Sequence, residues 1–173
     1  MNTLRDRQFN PDTVEGEFNV VALWTKFRAA RIRAGIAAGI FAGFMMQVFG
    51  VIVCSIKHWD LMMPFKIAAL PVIGRDALAY GSIPGLLVGL VVFYSLAMLL
   101  GATYAHFTGN NNRIVRLGIG FTWGAWGWIF ITCLFSPSFQ AYAEADIPRG
   151  IMFFAWMVFG FSLSSVVWFD KQK

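Results

Sequence analysis

The side chains suited to chemistry are few, and most lie at the ends of long apolar segments. The histidines are His58 and His106, and the cysteines are Cys54 and Cys133. Cys54 and His58 are four residues apart and would share one helix face. Together with Asp60 and Cys133 they offer metal-ligand types, but the spacing matches no metal motif. Buried cysteines commonly pack as small apolar residues, so we predict no metal site; a Cys54–Cys133 disulfide stays open as an alternative.

Cofactor and catalytic motifs are also missing from the sequence. His58 follows the first apolar segment and His106 ends the second, which places them a membrane thickness apart and excludes one shared haem. No phosphate loop, nucleophile elbow, HExxH or dinucleotide fingerprint occurs. We therefore predict no catalytic residues and no cofactor bound by this chain alone. Contribution of one ligand to a site shared with another subunit stays open.

Several polar residues fall near the middle of apolar segments. A polar group in hydrocarbon is costly unless it is hydrogen-bonded, so hydrogen bonding between helices is the favoured interpretation. The alternative is a polar site for a quinone or lipid, with contacts from Gln47, Tyr94, Ser95 and Trp126. These segments contain no Asp or Glu, which argues against a transporter coupled to protons or cations.

The composition indicates the setting in which these residues lie. Hydrophobic residues make up 58% of the 173, charged residues 13%, and the mean hydropathy is +0.62. Soluble domains carry about 25% charged residues. Four segments approach or exceed the roughly 20 apolar residues that cross a bilayer: 34–56, 83–107, 114–136 and 150–169. We predict an all-α integral membrane four-helix bundle.

The basic residues predict the orientation of this bundle. The net charge of +5 does not indicate nucleic-acid binding, because Lys and Arg flank the apolar segments instead of forming a patch. Ten of the 14 fall on one side of the predicted bundle and four on the other. The positive-inside rule places the ten in the cytoplasm. We expect both termini on the cytoplasmic side of a bacterial inner membrane.

Two connecting regions complete the predicted organisation. Residues 1–33 form a basic cytoplasmic arm, and 18–32 have apolar residues at helical spacing. This pattern favours either an amphipathic helix in the headgroup plane or a cytoplasmic extension of the first span. The loop 57–82 is apolar but broken by prolines, so it lies along the interface or dips against the bundle where protein covers its backbone. Residues 170–173 form a cytoplasmic tail.

Glycine spacing is the most regular feature of the four segments. Small residues at intervals of four let membrane helices approach closely. We predict a helix-packing or partner interface at Gly35, Gly39, Gly43, Gly85, Gly89, Gly101, Gly120, Gly124 and Gly160.

The helix sequences resemble a group of bacterial four-span proteins of the YagU type. The resemblance lies in AGIAAGIFAGFM, in Ser95 and the stretch Gly101 to Ala105, and in the Phe159–Gly160 pair. It implies membrane residence and association with respiratory complexes. Many such proteins carry histidines inside helices two and four, where this chain has Val92, Phe93 and Trp156. Cofactor binding through those histidines is therefore not expected here.

These observations favour an accessory, non-catalytic subunit of a larger membrane complex, of the respiratory or photosynthetic electron-transfer type. Its partners would be lipid and other membrane subunits, without nucleic acid. The alternative is a small transporter or channel that oligomerises to form a pore. A third hypothesis is an enzyme acting on a lipid or quinone, which would need His58, Asp60 or Tyr94 for its chemistry.

Overall fold

The computed structural model describes residues 29–108, 113–131 and 147–169, and the regular elements in these ranges are helices. A 3₁₀ turn at Ile67–Ala69 joins two short helices, and another at Gly74–Leu78 follows the second of them. In chain order the helices are α1 (Ala29–Lys57), α2 (Met63–Lys66), α3 (Leu70–Ile73), α4 (Ile83–Thr108), α5 (Arg113–Ile129), α6 (Arg149–Leu163) and α7 (Val166–Phe169).

Among the described residues, three helical stretches are long and apolar enough to cross a membrane: Arg31–Lys57, Ile83–Thr108 and Arg149–Phe169. The last comprises α6, a turn and α7. These stretches and the all-helical structure confirm the coarse prediction of an α-helical membrane protein. The predicted span 114–136 coincides with α5 through residue 129, while 132–136 lie outside the described ranges. The arm before residue 29 and the tail 170–173 also lie outside them.

Helix α1 is the centre of the assembly. It packs along α4 and also against α6 and α7, whereas α5 packs mainly on α6. The first turn of α1 contains Arg31, so Ala29–Arg33 continue the first helix. Alanines of α1, among them Ala38 and Ala42, are fully buried in the main core together with Tyr104 and Leu163.

Two ends of this assembly need names. The loop side is the end at which α1 and α5 finish and α4 and α6 begin, and residues 58–82 lie there. The basic side is the opposite end, where Arg31, Arg33 and Arg116 lie.

On the basic side, α1 and α4 meet backbone to backbone. A Cβ placed on Gly101 would lie 2.6 Å from the Gly39 Cα, and one on Gly35 would lie 2.6 Å from the Ala105 Cβ. Gly43 faces Ala97 in the same way: a Cβ on Gly43 would lie 3.2 Å from the Ala97 Cβ. Small residues permit this approach, since lipid supplies no hydrophobic drive between helices.

Helices α5 and α6 form a second pair of the same kind. A Cβ on Gly160 would lie 2.9 Å from the Gly124 Cα, and one on Gly120 would meet the Gly160 carbonyl oxygen. Helices α4 and α5 share few contacts; one of them is the Tyr104 hydroxyl, which donates to the Arg116 carbonyl oxygen at 2.8 Å. The bundle is therefore two glycine-packed pairs joined through α1 and α6.

Gly85 and Gly89 pack differently, against the segment 58–82. A Cβ on Gly89 would lie 2.9 Å from the Phe65 carbonyl carbon, and one on Gly50 would lie 2.9 Å from the Pro64 Cβ. Gly50 precedes the end of α1 by seven residues, which is about 10 Å along a helix. Helix α2 therefore dips against α1 and α4 well below the helix ends, the second of the two conformations expected for this loop.

Candidate functional site

A cavity of about 490 Å³ lies in the loop-side half of the bundle. Its walls come from α1, α4, α6, the end of α5 and the α2–α3 segment. The described lining residues are mostly aliphatic or aromatic, and they include Met46, Gln47, Phe49, Gly50, Val53, Cys54, Trp59, Pro64, Ile67, Ala68, Pro71, Val92, Phe93, Leu96, Ala97, Leu99, Leu100, Phe130, Ile131, Ile147, Ile151, Met152, Ala155, Trp156 and Phe159.

Large side chains from α1 and α4 line this cavity, beside smaller residues such as Gly50 and Ala97. Met46 and Phe49 of α1 line it, and Phe93 and Leu96 of α4 line it from the other helix. These side chains are much larger than the glycines at which α1 and α4 meet on the basic side. The α2–α3 segment then closes part of the resulting space instead of filling it.

Trp156 of α6 is held in a notch on α5. A Cβ placed on Gly127 would lie 2.5 Å from the Cζ3 of Trp156 and 2.6 Å from its Cε3. The Cε3–Cζ3 edge is on the far side of the indole from Nε1, so the notch at Gly127 holds the benzene edge of the ring and not its N–H. Trp156 is only 6% exposed, and its Nε1 has no hydrogen-bond partner in the described part of the chain.

Gln47 of α1 adds a second polar group to the lining, beside the indole N–H of Trp156. It is 3% exposed and lies near the middle of α1, one residue from Met46, which also lines the cavity. Its amide can both donate and accept hydrogen bonds. The site therefore presents two uncharged polar groups within an apolar wall.

The cavity reaches the outer, apolar surface of the helices. Leu99 and Phe130 line it and are 61% and 45% exposed. Both belong to helices whose exposed side chains are mainly apolar, as contact with lipid requires. A molecule entering beside these residues would come from the hydrocarbon and not from water.

A buried ion pair anchors the segment that forms the loop-side wall. Lys66 is 2% exposed, and its Nζ donates to the Asp60 Oδ2 at 2.7 Å and to the Ala79 carbonyl oxygen at 3.0 Å. The Asp60 Oδ1 accepts from the Met62 backbone N–H at 2.9 Å. The hydrogen bond from Lys66, followed by that from Met62, lowers the pKa of Asp60. The ion pair ties α2 to the turn after α1, and the hydrogen bond to Ala79 ties it to the chain just before α4.

The structure distributes the predicted quinone or lipid contacts over different surfaces. Gln47 lines the cavity. Tyr94 is half-buried, its ring centroid is 5.4 Å from that of Phe93, and it is not part of the described lining. Ser95 is exposed, and Trp126 is 66% exposed on the outer face of α5. The structure therefore does not bring these four residues together.

Sequence reasoning missed Trp156 as a lining residue. The available signal was its position on a predicted span together with the glycines of α5, because a large ring needs a small neighbour. Lys66 was also missed, since a lysine within a broken apolar loop is usually solvated.

The cysteine and histidine candidates do not converge on a metal site within the described residues. Cys54 is buried and free and lines the cavity, and Cys133 lies outside the described ranges. His58 is exposed at the end of α1, and the His106 ring packs edge-on to Phe107. No group of three or more His, Cys, Asp or Glu side chains forms a metal-binding cluster in the ranges that the structure describes.

Comparison with known protein-family models, curated proteins and solved structures finds no match to this chain. The functional argument therefore depends on the cavity and its surroundings.

Proposed function

We propose that this chain is a four-span membrane subunit, with both termini in the cytoplasm, that holds an apolar molecule from the bilayer. The molecule would occupy the loop-side cavity and would be bound without being transformed. The observation that carries the proposal is the 490 Å³ cavity, because it is apolar and reaches the lipid-facing surface. Its size falls within the range of about 300–1,000 Å³ that small-molecule sites occupy.

The lining favours binding over catalysis. Its described residues include no Asp, Glu, Lys, Arg or His. General acid–base catalysis needs a group that exchanges a proton near the working pH. Cys54 is the lining residue with nucleophilic character, and no described histidine lies in the wall to activate it.

We further propose that the subunit serves a larger membrane complex, as an accessory part of a respiratory or photosynthetic chain. A binding site without catalytic groups fits a subunit that holds a quinone or lipid for a neighbour. The proposed resemblance to YagU-type proteins adds support, since Val92, Phe93 and Trp156 all line the cavity. The same place in the fold would then hold a ligand without histidine ligation.

The first experiment fills the cavity. Ala155 is 7% exposed and lies in the lining, so Ala155→Phe places a ring in the space. The matched control is Val91→Phe, which adds a ring on the 68% exposed face of α4. Native mass spectrometry of protein purified in mild detergent should find a bound apolar molecule in the wild type and in Val91→Phe.

Ala155→Phe should lose that molecule while its helical circular dichroism is unchanged. Equal retention by Ala155→Phe and wild type would contradict binding in the cavity. The accessory role is tested separately by native electrophoresis of membranes extracted in mild detergent. A lone subunit with no co-migrating protein would count against it.

A further inference from the structure

The indole N–H of Trp156 is a buried donor without an acceptor in the described part of the chain. Proteins leave few such donors unsatisfied, because their hydration is lost without replacement. The notch at Gly127 fixes the ring, so the N–H cannot readily rotate towards a distant acceptor. A ligand in the cavity that Trp156 lines would supply the missing acceptor.

Gln47 adds a second polar group to the same cavity wall. Gln47 is buried, with only 3% of its surface exposed. The amide brings two N–H donors and one carbonyl acceptor. A tryptophan N–H can only donate, so a ligand that engages both residues needs a hydrogen-bond acceptor.

The electrostatics of the lining exclude a charged ligand. None of its described side chains is a cation or an anion. Lys66 belongs to the neighbouring segment, but it is not in the described lining and its Nζ already contacts Asp60 and the Ala79 carbonyl oxygen. Transfer of an unpaired carboxylate or phosphate into such a site would carry a large desolvation cost.

We infer that the cavity binds a neutral, mostly apolar molecule through a carbonyl oxygen that accepts hydrogen bonds from Trp156 Nε1 and the Gln47 amide. This inference rests on the proposed function, and it specifies the ligand class and the recognition groups. Two membrane sources share the chemistry: the carbonyls of an isoprenoid quinone and the ester carbonyls of a neutral acylglycerol. The aromatic residues Phe93, Trp156 and Phe159 in the lining can accommodate a planar ring as well as an acyl chain.

The test uses purified full-length protein in detergent and two probes, a short-tailed benzoquinone and dioctanoylglycerol. Isothermal titration gives the affinity for each probe. Trp156→Phe keeps the aromatic ring and removes the N–H, and Gln47→Leu removes the amide at similar volume. Each should weaken binding of the recognised probe about tenfold, the effect expected for one lost hydrogen bond in an apolar site.

Trp123→Phe is the matched control. Trp123 also has an indole N–H without a hydrogen-bond partner in the described ranges, but it is not in the described lining. Its substitution should leave both affinities unchanged. Infrared spectroscopy supplies a readout that a packing defect would not move: the carbonyl stretch of the bound probe should shift to lower wavenumber in the wild type and return towards the free value in Trp156→Phe.

The outcomes separate the two proposals. Binding of one probe with the tenfold loss in both variants supports the inference, and the probe that binds identifies the source. Binding to the wild type, Trp156→Phe and Gln47→Leu within twofold, without a carbonyl shift, would overturn the inference and leave the proposed function standing. Equal binding by Ala155→Phe and wild type would overturn the proposed function itself.

Discussion

The two halves of the bundle are built by different packing rules. On the basic side, glycines of α1 and α4 bring the helix backbones together, with Gly39 and Gly101 in direct apposition. On the loop side, the same two helices carry Met46 and Phe93, and a cavity opens between them. Both halves use one pair of continuous helices, so the difference lies in side-chain size and not in secondary structure.

The comparison extends to the backbone and to charge. The described residues with positive φ, namely His58, Gly74 and Gly81, all fall in the segment 58–82. The buried ion pair of Lys66 with Asp60 lies there as well. Regular helices need neither positive-φ residues nor an internal ion pair. A segment that folds back among helices needs tight turns and polar contacts that satisfy its buried groups. The loop-side half is therefore the part of the molecule whose shape depends on special residues.

The largest expected effect comes from breaking the backbone contact of the basic side. Gly101→Leu would place a branched side chain where even a Cβ would lie only 2.7 Å from the Gly39 backbone nitrogen. The neighbour is backbone and cannot rotate away, so α1 and α4 must separate. Overpacking by single methylenes costs about 1–3 kcal/mol, and a whole leucine should exceed that. We expect loss of the monodisperse, folded protein, measured by size-exclusion chromatography and circular dichroism.

Gly118→Leu is the control for this experiment. A Cβ on Gly118 would meet nothing within 4 Å, so the same substitution adds a lipid-facing side chain and removes a helix-weakening glycine. Its melting temperature should equal or exceed that of the wild type. If the two variants were equally stable, tight packing would not define the basic side.

The second effect concerns the anchor of the loop side. Asp60→Ala leaves the buried Lys66 ammonium with the Ala79 carbonyl oxygen as its acceptor among the described residues. Removing one partner of a fully buried pair costs about 3–5 kcal/mol, because the other charge stays desolvated. Asp60 is 26% exposed, so we expect a loss below that range, of about 2 kcal/mol. Lys66→Met should cost less, about 1 kcal/mol, since Asp60 is 26% exposed and keeps the Met62 N–H.

Thermal unfolding in detergent measures both variants. The expected order of melting temperature is wild type, Lys66→Met, Asp60→Ala. The reverse order of the two variants would show that the lysine is hydrated and that the segment does not depend on the pair.

Much of the helical framework could be predicted from the sequence, and much of the site could not. The segment 83–107 was predicted within one residue of the observed Ile83–Thr108, because length and hydropathy are local properties. The partner of each glycine depends on which helices meet. Gly89 meets the backbone of Phe65, which comes from a loop, and no local pattern specifies that contact.

The cavity could not be predicted for a related reason. Empty space is set by the distance between helices, and that distance follows from tertiary packing. Gln47 was identified because a polar residue in an apolar span is conspicuous by type. Trp156 was not, since a tryptophan in such a span is ordinary until its N–H is found without an acceptor among the described residues.

Acid should weaken the loop side more than the basic side. The hydrogen bond from Lys66 lowers the pKa of Asp60 in the folded protein. The Asp60 carboxyl therefore binds a proton less tightly in the folded protein than in the unfolded chain. The resulting stability is complete above the pKa of an unfolded aspartate, near 4, and is lost as the pH falls through the lowered folded value. Between pH 5 and about pH 3 the melting temperature should fall more for wild type than for Lys66→Met. If the melting temperatures of the two proteins fell in parallel with pH, Asp60 would not contribute to the loss of stability in acid.

The smallest effect tests the backbone joint between α1 and the loop-side segment, at His58. His58 has φ 56°, and the Trp59 N–H donates to the Cys54 carbonyl oxygen at 2.9 Å while the His58 N–H donates to the Ser55 carbonyl oxygen at 3.3 Å. This is the Schellman arrangement, in which the left-handed residue is usually glycine. A residue with a Cβ costs about 1–2 kcal/mol in that conformation, so His58→Gly should raise the melting temperature by a few degrees. His58→Asn should give a smaller gain and His58→Ala none, because asparagine tolerates the left-handed region better than alanine does. A fall in stability with glycine would instead mean that the exposed imidazole itself holds the loop-side segment, and the strain at this joint would then be secondary to a side-chain contact.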